Sequence, residues 1–196
     1  MTIAFHLRAV ALAAAALLWA APSDAQLSDE QEKEAFCVFD KLDEGDGFYD
    51  VAEAFLYDDA AADLLKRADD AMKASVDACA GLHSWDAAER ELATSIGRYA
   101  SVADYLGEEL WIEGLDNDEI EYVFNALDRL SSQEVERLLD DAWLDDEAFT
   151  KRLDAVLIES KFPADDAYLL ETGRLMMEAT VLTTLAVDKW ADAHPR

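Results

Sequence analysis

Between Trp85 and Leu110 the apolar residues Leu92, Ile96, Tyr99, Ala103, Leu106 and Leu110 recur at steps of three and four. That spacing lays them along one stripe of an α-helix. A stripe this long must be covered by other apolar faces of the chain. The stretch is centred on Gly97-Arg98. A second long helix, expected from about Pro163 to Trp190, carries a similar centre at Gly173-Arg174. Elsewhere no run alternates apolar and polar residues long enough for a strand, and glycine and proline are rare. The expectation is an all-α fold, a multi-helix bundle of about seven helices packed around the long helices near Gly97 and Gly173.

Helix punctuation fills in the rest. Ser28 with Gln31 forms a capping box and opens a helix to about Leu42, ended by Gly45 and Gly47. A short helix follows from about Tyr49 to Tyr57, and another from Asp59 to Ala80 with Gly81 just past its end. Ser84 is expected to cap the long helix and Gly114 to stop it. Asp116 with Glu119 and Ser131 with Glu134 are further capping boxes. The helix from Ser131 is expected to bury Val135, Leu138, Leu139, Ala142 and Trp143. Asp145 is read as the next cap, and Pro163 as the first turn of a final helix apolar around most of its circumference, hence central.

The two halves also read as a repeat of residues 34–110 and 121–187. Phe36, Asp40, Lys41 and Leu42 match Phe124, Asp128, Arg129 and Leu130, and Gly97-Arg98 matches Gly173-Arg174. On this reading each mid-helix glycine marks a close helix crossing. The adjacent arginines would fix register through ion pairs, Arg98 with Asp58 or Asp59 and Arg174 with Asp140 or Asp141.

The first 25 residues read as a secretory signal peptide: Arg8 ahead of the apolar run Ala9–Ala21, then Pro22 and a small-residue cleavage site at Ala25. Residues 26–196 would then be one helical domain, periplasmic or secreted, with no membrane insertion after cleavage. In an oxidising compartment Cys37 and Cys79 are expected to form a disulfide.

The formal net charge of −28 excludes nucleic acid as a partner, because phosphate binding needs clustered cations. It favours a cationic protein or peptide.

Catalytic patterns are missing. There is no Gly-x-Ser-x-Gly elbow, His-Glu-x-x-His or Glu-x-x-His. His83 reads as a turn residue and His194 as part of a frayed C-terminal end. Asp43, Asp46 and Asp50 crowd a glycine-containing loop that faintly resembles a calcium loop, the one place where calcium would be held, although the spacing fails the EF-hand rule. Trp85, Trp111, Trp143 and Trp190 sit near expected helix ends and read as core-edge residues. The other reading makes Trp111 and Tyr105, beside Glu108, Glu109 and Glu113, an amphipathic contact patch. The functional expectation is a non-enzymatic binding or structural envelope protein with a cationic partner. The alternatives are a carboxylate-based metal-dependent or glycan-cleaving hydrolase, or a divalent-cation-binding protein.

Overall fold

The computed structural model describes residues 27–45, 47–57, 59–163 and 166–195. Residues 1–26, with the stretch expected to be a signal peptide, lie outside the described residues, as do Asp46, Asp58 and the side chain of Asp141. The described chain is all-helical: α1 (Asp29–Ala35), α2 (Cys37–Glu44), α3 (Gly47–Leu56), α4 (Ala62–His83), α5 (Ala87–Ile112), α6 (Asn117–Leu127), α7 (Ser132–Leu138), a 3-10 turn (Asp141–Asp145), α8 (Glu147–Glu159) and α9 (Ala167–Ala193). Nine α-helices among the described residues exceed the seven expected. One of the extra helices comes from a break at Phe36, where the sequence pattern runs on.

The chain divides into two compact units whose boundaries fall inside α5 and α9. The division does not follow the repeat drawn from the sequence, and the structure does not show that repeat.

The first unit holds the described residues up to Tyr105 and those from Ala179 onward. Its entry is the Ser28/Gln31 capping box, formed as expected. The helix expected to run to Leu42 is interrupted at Phe36, where φ −89° and ψ 3° leave helical geometry. Phe36 is buried there, and the next residue, Cys37, is bonded to Cys79 of α4 across a sequence separation of 42. Both α2 and α3 pack on α4. α4 passes straight through Gly81 and ends at Ser84, which takes the left-handed conformation with φ 61°. The cap of α5 is therefore Asp86, two residues later than expected. Its Oδ1 accepts from the amides of Ala88 and Glu89, at 2.8 and 3.0 Å, and Glu89 returns the bond to the Asp86 amide.

Gly97 explains its own presence in α5. A Cβ built on it would lie 2.5 Å from Cγ1 and 3.0 Å from Cβ of Val38, so α2 crosses α5 at glycine distance.

The second unit holds residues 106–178. The capping boxes at Asp116/Glu119 and Ser131/Glu134 both form. α7 stops at Leu138, however, and the chain continues into the 3-10 turn, whose amide at Ala142 is capped by the Asp140 carboxylate at 3.1 Å. Trp143 is buried as expected, while Leu139 and Leu144 face outward. Asp146, not Asp145, caps α8. α9 starts at Ala167, beyond the expected Pro163, with Asp166 accepting from the Tyr168 amide.

α5 and α8 end in the same hydrogen-bond pattern. Leu115 donates to the Leu110 carbonyl and Gly114 to that of Trp111; Phe162 donates to Leu157 and Lys161 to Ile158. This is the Schellman closure, which needs a left-handed residue after the cap. Gly114 supplies it with φ 102° and Lys161 with φ 75°. The second closure delivers the buried ring of Phe162 to Gly173, where a Cβ would sit 3.2 Å from the ring. Gly173, like Gly97, is thus a point of close approach.

Candidate functional site

The only two histidines after residue 25 meet in one cluster of the first unit. The positive-φ Ser84 reverses the chain after α4, so that His83 stacks on Trp85 with ring centroids 5.6 Å apart. Trp85 meets Trp190 of α9 edge to face at 5.4 Å, and Trp190 stacks on His194 at 4.5 Å. Trp190 is fully buried and Trp85 nearly so. Two carboxylates hold this row of four rings. Glu34 of α1 accepts from the Trp85 indole at 2.8 Å, with His83 Nδ1 3.7 Å away. Glu89 of α5 lies 2.9 Å from His194 Nε2. Gln31 closes the arrangement by donating to the His194 carbonyl at 2.8 Å.

His194 is the group whose protonation matters. Its Nδ1 faces the Trp190 carbonyl at 2.8 Å and its Nε2 faces the Glu89 carboxylate. Both partners are acceptors, and a neutral imidazole can donate to only one of them, whereas the imidazolium donates to both. Burial pulls the His194 pKa down. The bonds to the Trp190 carbonyl and Glu89, with the charges of Glu89 and Glu34, outweigh it, and the pKa is raised above the ordinary histidine value. With both nitrogens engaged inside the fold, the His194 ring latches the end of α9 to Glu89 of α5, while its backbone carbonyl accepts from Gln31 of α1 whatever the state of the ring. It is not placed as a general base toward a substrate.

The other sequence-derived candidates are distributed differently from expectation. Cys37 and Cys79 are joined, with Cα atoms 6.0 Å apart. Of the acidic loop, Asp50 is clasped by Arg67, whose Nε and Nη2 lie 2.9–3.1 Å from its carboxylate. Asp43 lies in the last turn of α2. Among the described residues no group of three or more His, Cys, Asp and Glu side chains is gathered as a metal ion requires.

Arg174 is half-buried and pairs with Asp154 of α8, one side-chain layer away, rather than with Asp140, which is spent on the cap of the 3-10 turn. Arg98 and Asp59 are both exposed, and among the described residues no ion pair joins them.

Trp143 donates its indole hydrogen to Glu178 at 2.9 Å, so Trp85, Trp143 and Trp190 are core residues as expected. Trp111 is not: it is 47% exposed, while Tyr105 is buried. The paired histidines escaped sequence reasoning because Glu89 and His194 are 105 residues apart. The one local cue was the His83-Ser84-Trp85 triplet.

The ion pairs also use up much of the positive charge. Arg67 bonds Asp50 and Asp63, Arg90 and Lys73 share Asp77, Arg137 pairs with Asp146, and Arg152 holds Glu134 at 2.7 Å. Together with two bonds from Ser131, Arg152 brings the Glu134 carboxyl down to about 2.

Comparison with protein-family models, with curated proteins and with solved structures found no match.

Proposed function

We propose that this is an exported, non-enzymatic binding protein, periplasmic or secreted, whose acidic surface meets a cationic protein or peptide. The observation that carries the reading is the charge balance. The chain has 44 acidic residues against 16 lysines and arginines, and much of that minority is engaged in intramolecular pairs. The carboxylates outnumber the cations by 28, so a strong negative field surrounds the chain. Such a field accelerates encounter with positive partners and repels negative ones. The export part of the proposal rests on the signal-like first 25 residues. The disulfide fits an oxidising compartment, and no helix among the described residues is long and apolar enough to cross a membrane.

The test is retention of envelope proteins by the immobilised mature chain across a salt gradient. Basic proteins bound at low ionic strength and released together as salt rises are expected. Retention that ignores salt, or none at low salt, overturns the proposal. The divalent-cation alternative is separated by melting the mature protein with calcium, magnesium, zinc or a chelator. A shift that only follows ionic strength leaves the cationic partner as the reading, and an ion-specific one replaces it.

A further inference from the structure

The end of α5 combines three features. The first is exposed apolar surface: Ile112 is 65% exposed and Trp111 47%. The second is their setting on the helix. Ile112 lies three and four residues after Glu109 and Glu108, and Trp111 three after Glu108, so these side chains share one face. Tyr168, 43% exposed, joins it by donating its hydroxyl to Glu109 at 2.7 Å. The third is charge. From Tyr99 to Asp128 the sequence contains no lysine, arginine or histidine, while Glu108, Glu109, Glu113, Asp116 and Asp118 fall within it. The last turn of α5 has no basic residue. The negative end of a 26-residue helix dipole adds to the same place.

A face of this kind has a definite complement. The exposed part of the tryptophan and isoleucine offers apolar contact, tryptophan and tyrosine rings also accept a cation on their faces, and the glutamates with the helix end attract positive charge. Resting on the binding reading above, we propose that the Trp111–Ile112–Tyr168 face, rimmed by Glu108, Glu109 and Glu113, is where the partner docks, and that the docking segment is an amphipathic cationic peptide helix. Its apolar side would cover Ile112 and Trp111, and its lysines or arginines would reach the glutamate rim.

The experiment uses the full mature chain and a synthetic Leu/Lys amphipathic helical peptide, with a Ser/Lys peptide of equal charge as comparison, titrated by calorimetry. Trp111→Ala with Ile112→Ala is the test variant. Leu82→Ala, at a 70% exposed position of α4, is the matched control. The expected result is tighter binding of the Leu/Lys peptide than of the Ser/Lys peptide, and a loss of about tenfold or more in the double variant alone. If the wild-type chain binds both peptides and the double variant binds as well as wild type, this docking face is wrong while the cationic-partner reading survives. If the wild-type chain binds neither peptide at low salt, both fall. Circular dichroism of the double variant guards against loss of fold. If that variant is misfolded, Ile112→Lys, which keeps the helix and reverses the charge complement, is expected to weaken the Leu/Lys peptide by a similar factor, and unchanged binding overturns the proposal.

Discussion

Substituting Gly97 by alanine sets two opposed effects against each other, and the geometry decides between them. Alanine in a helix interior is favoured over glycine by about 1 kcal/mol. At Gly97 the added methyl would lie 2.5 Å from Val38 Cγ1, about 1 Å inside ordinary carbon contact. Val38 is fully buried and follows Cys37, whose bond to Cys79 ties the start of α2 to α4, so α2 cannot simply retreat. Overpacking at such a site costs about 3 kcal/mol, the upper part of the usual range. Gly97→Ala is therefore expected to destabilise by about 2 kcal/mol. Gly81, also inside a helix, is the comparison: a Cβ there meets nothing within 4 Å, and Gly81→Ala is expected to stabilise by about 0.5–1 kcal/mol. Guanidinium unfolding of both variants reads the difference. Val38→Ala supplies the room that Gly97→Ala needs, so the double variant is expected to lose less than the sum of the singles by about 1 kcal/mol or more. Equal stabilisation by both glycine substitutions, or strict additivity with Val38→Ala, would refute the close crossing.

Four further outcomes follow from the same structure. Lys161 closes α8 at φ 75°, so Lys161→Gly is expected to stabilise by about 0.5–1 kcal/mol in denaturant unfolding, because a left-handed residue with a Cβ is strained. The raised His194 pKa means that its stabilisation is fully present below about pH 6.5, the unfolded value, and is lost as pH rises through the folded value. His194→Gln is accordingly expected to lower the melting temperature more at pH 6 than at pH 8.5, and an equal loss at both would remove the latch. Glu134, brought down to about 2, has the opposite sign: its contribution is present above its unfolded pKa and is lost as pH falls toward 2. Glu134→Gln is expected to cost about 1–2 kcal/mol at pH 7, after allowance for the solvent-screened Arg152, and almost nothing near pH 2. Reduction of the Cys37–Cys79 bond, closing a loop of 42 residues' separation, is expected to cost about 4 kcal/mol in the loop-entropy account; an unchanged melting temperature would contradict it.

The sequence by itself determined whatever depends on neighbours three or four residues apart. The capping boxes at Ser28, Asp116 and Ser131, the long α5, the stop at Gly114 and the all-helical class are of that kind, since a cap joins a side chain to an amide one turn away. Gly97 and Gly173 are both points of close approach, whereas Gly81, equally inside a helix, is not, so a mid-helix glycine alone does not mark a contact. Tertiary structure decided what depends on residues brought together from afar. The break at Phe36 accompanies the burial of its ring and the bridge to Cys79, neither of which a local pattern encodes. Arg174 took Asp154 instead of Asp140 because the acidic composition offers many equivalent carboxylates and only the packing of α8 places one of them within reach. Trp111 was left outside while Trp85, Trp143 and Trp190 went in, a choice among identical side chains at similar helix ends. The His194–Glu89 contact spans 105 residues. Its geometry comes from where α9 ends against α5, and no spacing in the sequence carries that information.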